Sequence, residues 1–345
     1  LPREPGLNLL QMMDAAEAGG LKMLWAIGYD ILLTNANAAA TRRALANLEL
    51  LVVSDLFLNE TAREYAHVFL PAASSFEKDG TFMNAERRVQ RVRRALAPPG
   101  EARSDWETVR NVAAALGHGA HFTFASAEAI WNEIRVVWPQ AAGMTYARLD
   151  RGGLQWPCPD EQHPGTTILH RDTFPVGPRA ALRRIDYHAT PEAVSADYPF
   201  RLMTGRTLYA FNAGTMTQRT PNRGLRTTDT LDICAADAHR LGIADRERVR
   251  VRSRYGEAVL PVRVSASMKT GEVFATFHDP AVSLNSITSP HRDRFVMAPE
   301  YKVTAVQVMP VFGNSEWQER HHAFTEEQLT LLEQRVRPAA QTVGK

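Results

Sequence analysis

A stretch near the middle of the chain, residues 203–217, combines residue types that suit a large anionic ligand. It follows a short apolar strand predicted over residues 199–203 and holds two glycines, one arginine, one asparagine and four threonines between apolar residues. The arginine offers a guanidinium fork that matches phosphate. The other expected donors are the backbone N–H groups of Gly205 and Gly214 and the hydroxyls of Thr204, Thr215 and Thr217. The stretch predicts a ligand-binding loop, although a Gly/Thr turn between two strands is an equally simple interpretation.

Length, composition and charge restrict the class of protein. A chain of 345 residues is long enough for about two domains. With 44% hydrophobic and 23% charged residues, it has the composition of a soluble globular protein. The net charge of +2 gives no indication of nucleic-acid binding, and no apolar run is long enough to predict a membrane span. Five arginines between residues 87 and 94 predict either a solvated face or a patch that faces an anion or a partner.

The cysteines indicate a reducing compartment. The chain has two, Cys158 and Cys234, far apart in sequence. By themselves they form no disulfide framework, zinc motif or iron–sulfur motif. We therefore expect a cytoplasmic protein.

The first part of the chain, residues 1–140, predicts an α/β domain with a Rossmann-like parallel sheet. Nearly continuous apolar strands alternate with helices, which is typical of doubly wound sheets. The predicted strands cover residues 21–27, 50–53 and 67–70, and the predicted helices cover 38–48, 61–65, 104–116 and 127–137. Ligands of such sheets lie beyond the carboxyl ends of the strands, where this sequence has Gly28, Asp30 and Asp55.

The second part predicts a small β-barrel, of the double-psi kind, over residues 196–315. Residues 248–254 and 257–264 alternate in hydrophobicity around Tyr255-Gly256, which predicts a hairpin. Further strands are expected over 272–278 and 303–309, with a short helix over 235–241. Residues 141–195, rich in Pro, Gly and Asp, are expected to form an ordered connector. Residues 316–345 are expected to form a tail with an amphipathic helix over 326–337.

Several sequence segments together resemble a known family. In order along the chain, they resemble the C-terminal half of the catalytic (alpha) subunits of molybdenum or tungsten formate dehydrogenases. These enzymes belong to the dimethyl-sulfoxide-reductase, or molybdopterin oxidoreductase, superfamily. The segments are residues 26–30 (AIGYD), 52–61 (VVSDLFLNET), 68–73 (VFLPAA), 77–91 (EKDGTFMNAERRVQR), 104–106 (SDW), 154–158 (LQWPC), 203–217 and 299–302 (PEYK).

The resemblance implies a bis-(molybdopterin guanine dinucleotide) cofactor that carries molybdenum or tungsten. The implied cofactor-binding positions are Gly28, Asp30, Thr34, Asp55, Thr61, Asp105, Thr204, Gly205, Arg206, Tyr209, Asn212, Thr215, His278, Asn285, Thr288, Tyr301 and Lys302. The three aspartates are expected to accept the N1–H and N2–H₂ donors of guanine. Each could instead be an ordinary strand-end or helix-capping carboxylate. His278 could be a satisfied core histidine, and Lys302 an ordinary exposed lysine.

The resemblance places the remaining catalytic apparatus N-terminal to the matched segment. There the family has its metal-ligating cysteine or selenocysteine, a catalytic histidine and arginine, and a four-cysteine [4Fe–4S] site. Cys158 and Cys234 match neither motif, so we predict no catalytic residue and no metal ligand in this chain. The chain alone is expected to be inactive.

The predicted function is therefore to cradle the cofactor of a formate dehydrogenase that oxidises formate to CO₂. The expected partners are the N-terminal half of the subunit and electron-transfer subunits that carry iron–sulfur clusters or flavin. Two alternatives stay open at this point. The chain could belong to a sister enzyme such as a nitrate reductase, or to a non-catalytic cofactor-binding protein.

Overall fold

The structure, a computed structural model, describes residues 3–311 and Thr330. The chain forms two compact units. The first comprises Leu1–Val53, Leu58–Val68 and Ala189–Lys345, and the second comprises Ser54–Phe57 and Phe69–His188. The first unit thus groups the beginning of the chain with the predicted barrel. The amphipathic helix predicted over residues 326–337 falls outside the described residues, Thr330 excepted.

A three-stranded parallel sheet with the strand order β1-β2-β3 confirms the α/β prediction for the first part of the chain. Its strands are β1 (Met23–Ile27), β2 (Leu50–Asp55) and β3 (Val68–Pro71). The helices are α1 (Leu9–Glu17), α2 (Ile31–Thr34), α3 (Ala38–Ala46) and α4 (Glu60–Tyr65). The sequence did not predict α1, although the Asn8 side chain caps its first turn. The Rossmann-like detail stays a prediction.

The second unit contains a small antiparallel sheet that the sequence did not predict. The sheet has the order β4-β5-β6, formed by β4 (Gly80–Met83), β5 (Arg88–Val92) and β6 (Leu154–Gln155). The helices are α5 (Asp105–Ala115), α6 (Ala127–Val137) and α7 (Tyr146–Leu149). The positions of α5 and α6 agree with the predicted helices, and Ser104 precedes α5 as predicted. Both β6 and α7 lie in the predicted connector.

The arginine run of residues 87–94 is largely engaged within the second unit. Arg88 forms an ion pair with Glu86, while Arg91 and Arg93 share the carboxylate of Asp150. Arg87 donates instead to main-chain carbonyl groups, among them that of Thr166 at 3.1 Å. The run is therefore mainly a set of local contacts around β5.

The first unit contains a closed six-stranded barrel, as predicted, with the strand order β10-β8-β11-β7-β12-β9. The barrel strands are β7 (Phe200–Gly205), β8 (Leu231–Ile233), β9 (Arg248–Arg252), β10 (Glu257–Val264), β11 (Glu272–Thr276) and β12 (Thr304–Pro310). The helix α8 (Ala235–Arg240) lies between β8 and β9 in the sequence. The predicted hairpin is confirmed, since β9 and β10 pair antiparallel. Leu202, Ile233 and Leu260 are fully buried in the barrel core. The double-psi detail stays a prediction.

One strand boundary differs from the sequence prediction. β7 continues through Thr204 and Gly205, which lie in register with Ala275 and Thr276 of β11. These two residues therefore belong to the sheet, and the irregular loop begins only at Arg206. A β-carbon at Gly205 would lie 2.6 Å from the ring of Phe274. Close packing against the Phe274 ring, and not an open turn, accounts for this glycine.

Among the described residues, no helix combines the length and the apolar composition that crossing a membrane requires.

Candidate cofactor site

The turn after β1 is organised around the buried carboxylate of Asp30. Its Oδ1 accepts hydrogen bonds from the Thr61 hydroxyl at 2.7 Å, the Thr61 N–H at 3.3 Å and the Leu33 N–H at 3.3 Å. Its Oδ2 is also buried but has no partner among the described residues. Because Oδ1 already serves three donors, Asp30 has one oxygen left for a ligand. That geometry suits a single donor better than the two-donor guanine edge expected from the sequence.

The loop after β11 is tied to the end of α2 through Asn285. The Asn285 Nδ2 donates to the carbonyl oxygens of Leu33 at 2.9 Å and Thr34 at 3.3 Å. The Thr288 hydroxyl accepts from the Asn37 N–H at 3.1 Å and donates to the Asn285 carbonyl at 3.0 Å. Thr288 is therefore engaged in joining these segments. The Asn285 Oδ1, in contrast, is buried with no partner in the described part of the chain.

The loop of residues 206–217 presents Arg206 at its surface. The exposed Arg206 guanidinium donates one hydrogen bond, to the Asn212 Oδ1 at 2.9 Å, which orients the fork and leaves other N–H groups for a ligand. Asn212 itself adopts a left-handed conformation with φ of 50°. Tyr209 is half-exposed and Thr215 is partly buried on the same loop.

The neutral side chain of His278 contacts this loop and helps to hold it in place. Its Nε2 accepts a hydrogen bond from the Thr207 N–H at 3.1 Å. Burial lowers the pKa of His278 from 6.5 to about 4, so the ring is uncharged near neutral pH. A β-carbon at Gly214 would lie 3.3 Å from the His278 β-carbon, which shows how closely the loop packs on this residue. Its Nδ1, in contrast, is buried without a partner among the described residues, so only one of the two ring nitrogens is satisfied within the described part of the chain.

An aromatic pair connects the residues that follow β11 with those that precede β12. The rings of Phe277 and Tyr301 stack with centroids 6.5 Å apart. The carbonyl oxygen of Tyr301 accepts a hydrogen bond from the Thr204 hydroxyl at 2.5 Å. Burial, reinforced by Tyr301, raises the pKa of Tyr29 to about 12, so Tyr29 keeps its proton and donates to the Asn35 Oδ1 at 3.3 Å.

Three of these residues, Tyr29, Phe277 and Asn35, were not among the predicted cofactor positions. The Asn35 Nδ2 is buried without a partner within the described residues. Neither Phe277 nor Asn35 carries a motif of its own. Their proximity in sequence to His278 and Thr34 was the available signal. The remaining candidates here are Gly28, which turns the chain after β1 with φ of 62°, Thr34 at the end of α2, and the exposed Lys302.

Two predicted residues, Asp55 and Asp105, belong to the second unit, and the other predicted positions belong to the first. The Asp55 Oδ1 accepts from the adjacent Leu56 N–H at 2.6 Å. Asp105 begins α5 and pairs with Lys78 at 2.6 Å, with its side chain 39% exposed. Asp105 also borders a cleft of about 910 Å³ that includes Trp106 and Trp131 in its walls.

Neither cysteine is arranged as a metal ligand. The Cys158 thiol is buried and contacts the Arg148 guanidinium at 3.3 Å, while the Cys234 thiol donates to the Asp237 carboxylate at 3.4 Å. In the part of the chain that the structure describes, no group of three or more His, Cys, Asp or Glu side chains could hold a metal ion.

Comparison with known protein families gives two matches. Residues 1–115 match the family described as "Molybdopterin oxidoreductase", and residues 200–305 match the "Molydopterin dinucleotide binding domain". The chain belongs to the molybdopterin oxidoreductases. The two matches include residues of all three stretches of the first unit, among them the turn at Asp30 and the loops around Arg206 and Asn285.

The chain is also similar in sequence to individual members of this family. Over 306 residues the chain is 41% identical to the "F420-dependent formate dehydrogenase subunit alpha" of Methanocaldococcus jannaschii, covering 88% of this chain and 45% of that protein. It is 34% identical over 322 residues to the "Assimilatory nitrate reductase catalytic subunit" of Bacillus subtilis, covering 90% of this chain and 45% of that protein. The chain thus spans about half the length of these relatives.

A solved structure, acetylene hydratase from Pelobacter acetylenicus, is similar in fold with a TM-score of 0.68 at 16% identity. The match covers 87% of this chain and 46% of the hydratase chain.

The side chains of the first unit fit a polar dinucleotide ligand of this family. Within the described residues, two buried acceptors, the Asp30 Oδ2 and the Asn285 Oδ1, and one buried donor, the Asn35 Nδ2, have no partner, and they occur in segments that hydrogen-bond to each other. Buried polar groups in native proteins nearly always have partners, so such a group calls for a ligand, an ion or water. The polar edge of a pterin carries many donors and acceptors, the kind of groups that could partner these atoms.

Proposed function

We propose that the chain cradles a molybdopterin guanine dinucleotide cofactor in the catalytic subunit of a formate dehydrogenase. The observation that carries the proposal is the 41% identity to a formate dehydrogenase alpha subunit over 88% of the chain. The relatives are named as alpha subunits, which supports an assembly with other, electron-transferring subunits. When bound, the cofactor supplies a molybdenum or tungsten centre that takes up two electrons from the substrate.

The residues of this chain bind and orient the cofactor. The Arg206 fork matches a phosphate, and it is held in place by Asn212. The Asp30 Oδ2 and the Asn285 Oδ1 accept hydrogen bonds from the ligand, in positions fixed by Thr61 and by the carbonyl oxygens of α2. Because these acceptors are buried, each is shielded from water and contributes more to binding than an exposed group would.

The guanine is assigned to Asp105 in preference to Asp30. The Asp105 carboxylate is partly exposed and has a single described partner, Lys78, whereas the Asp30 Oδ1 already has three. A partly exposed carboxylate beside a lysine can accept both the N1–H and the N2–H₂ group of guanine.

A nitrate reductase is the second candidate, because the Bacillus subtilis enzyme is 34% identical over a similar share of the chain. Activity assays on the holoenzyme that contains this chain distinguish the formate dehydrogenase from the nitrate reductase. Formate-dependent reduction of benzyl viologen, without nitrate reduction by reduced viologen, supports the proposal. Nitrate reduction without formate oxidation favours the sister enzyme. A purified protein with bound pterin and neither activity favours a non-catalytic cofactor-binding role.

A further inference from the structure

A buried carboxylate at the end of the connector, Glu192, accepts hydrogen bonds from the β9–β10 turn and from β12, and a third part of the first unit lies close to it. It is 1% exposed, although it lies outside every strand and helix. Tyr255, in the β9–β10 turn, donates its hydroxyl to Oε1, and the guanidinium of Arg254 lies 3.3 Å from Oε2. The main-chain N–H of Ala305, in β12, donates to Oε2 at 3.0 Å. The Nε2 of His291 lies 3.4 Å from Oε1.

Two of these partners stand at opposite ends of one segment. His291 lies near its beginning and Ala305 at its end, and the segment between them carries Tyr301 and Lys302. The carboxylate is thus hydrogen-bonded to one end of the segment, at Ala305, and lies 3.4 Å from the other end, at His291. Closing a loop in this way reduces the conformational freedom of the residues inside it.

The tyrosine partner is a permanent donor. Burial, together with the hydrogen bond to Glu192, raises the pKa of Tyr255 to about 12. Tyr255 thus stays protonated near neutral pH, and its hydroxyl has a proton to donate there.

The same segment has anchors that are independent of Glu192. Arg292 forms a two-point ion pair with Asp14, at 2.5 and 2.8 Å, and the Ser289 hydroxyl lies 3.3 Å from the Glu300 carbonyl. Loss of the Glu192 contacts should consequently loosen the segment without unfolding the barrel, whose core is formed by other residues.

From these contacts we infer that Glu192 is a positioning residue, which fixes residues 289–305 and so holds Tyr301 and Lys302 beside the 206–217 loop. The segment is linked to the strand that leads into that loop, because the Thr204 hydroxyl, two residues before Arg206 in β7, donates to the Tyr301 carbonyl. The inference rests on the proposed function for the role of Tyr301 and Lys302 as cofactor contacts. The connector would thereby contribute to cofactor retention from outside the binding loops.

The test compares Glu192→Ala and Glu192→Gln in the holoenzyme, with Glu257→Gln as a matched control. Glu257 is an exposed acid of the same barrel, on β10, and pairs with Arg250 at 3.6 Å. Hydrogen–deuterium exchange is measured on peptides that cover residues 289–305 and on peptides from β8 and β10. Pterin content is measured on the same samples. If Glu192→Ala does not fold, Glu192→Gln, which keeps one acceptor oxygen, supplies the result.

We expect Glu192→Ala to raise exchange over residues 289–305 by roughly 5- to 150-fold, the range for an unpaired buried group. Glu192→Gln should give a smaller increase, the β8 and β10 peptides should not change, and pterin content should fall in the same order. Exchange over 289–305 equal to that of Glu257→Gln would overturn the inference, as would increased exchange with full pterin content. A parent enzyme without pterin would refute the proposed function, while the exchange data would still decide whether Glu192 fixes the segment.

Discussion

Substitutions at Asn285 test how its buried side-chain amide is oriented, with the Nδ2 donating to the chain and the Oδ1 left without a described partner. The Nδ2 donates to two carbonyl oxygens at 2.9 and 3.3 Å, and the side chain is 3% exposed. Asn285→Ala removes both hydrogen bonds, at about 0.5–1.5 kcal/mol each, so the free energy of unfolding should fall by about 1–3 kcal/mol. Asn285→Asp places a carboxylate oxygen against the same two carbonyl oxygens in a buried site. The cost should then reach about 3–5 kcal/mol, as for an uncompensated buried charge.

Urea unfolding followed by tryptophan fluorescence measures the free energy of unfolding of each variant. Asn132→Asp serves as the control, because Asn132 is an exposed residue on α6 where the same change should shift stability by less than about 0.5 kcal/mol. We expect Asn285→Asp to be the most destabilising of the three changes, Asn285→Ala to follow it, and the control to have the smallest effect. If Asn285→Asp were no worse than Asn285→Ala, the Nδ2 would not face the two carbonyl groups, and the amide orientation on which the free Oδ1 depends would be wrong.

Three further predictions follow from the same unit. The pKa of His278 is about 4 in the folded protein against an ordinary value of 6.5, so its contribution to stability is complete above pH 6.5 and is lost as the pH falls through 4. That loss amounts to about 3 kcal/mol. Between pH 7 and pH 4, the free energy of unfolding of His278→Gln should therefore fall by about 3 kcal/mol less than that of the unmodified protein. Arg206→Ala should leave the melting temperature unchanged but weaken cofactor retention about 10- to 150-fold, whereas Arg206→Lys should restore retention only in part; unchanged pterin content in Arg206→Ala would refute its assignment. Leu260→Ala, in the barrel core, should destabilise by about 2–5 kcal/mol in thermal unfolding, and a loss below about 1 kcal/mol would contradict its full burial.

The elements that the sequence predicted correctly have strong local signals. Residues 50–53 form an uninterrupted apolar run, and they lie in a buried parallel strand. The alternation on both sides of Tyr255-Gly256 matches the period of a half-buried hairpin, and β9 and β10 pair there. Such patterns are set by residues close together in the chain, so they can be recognised without knowledge of the tertiary fold.

The features that the sequence missed depend on contacts between distant residues. β6 has two residues, too few for a recognisable period, and it exists because it pairs with β5 some 65 positions earlier. β7 runs two residues further than its apolar pattern because β11 offers partners to Thr204 and Gly205. Tertiary pairing extends a strand beyond its local propensity.

The sequence names candidate residues for the site, which stay predictions, but it does not show which of their polar atoms are already used within the chain. Asp30, Asn285 and Thr288 were all identified, yet only the structure shows that the Thr288 hydroxyl is used by Asn37 and Asn285. The same holds for the Asp30 carboxylate, of which one oxygen is occupied and the other is without a described partner. Hydrogen-bond saturation depends on which groups the fold brings together, so a motif can name a polar residue without showing whether it is available to a ligand.

The most direct test of the central claim is hydrogen–deuterium exchange on the subunit that contains this chain, prepared with and without its pterin cofactor. We expect bound cofactor to protect residues 203–217, 285–288 and 301–302, together with the turn at Asp30. Strands β9 and β10 should exchange at the same rate in both samples. Protection absent from these segments, in a sample shown to contain one or more molybdopterin dinucleotides per subunit, would contradict the claim that this chain holds the cofactor.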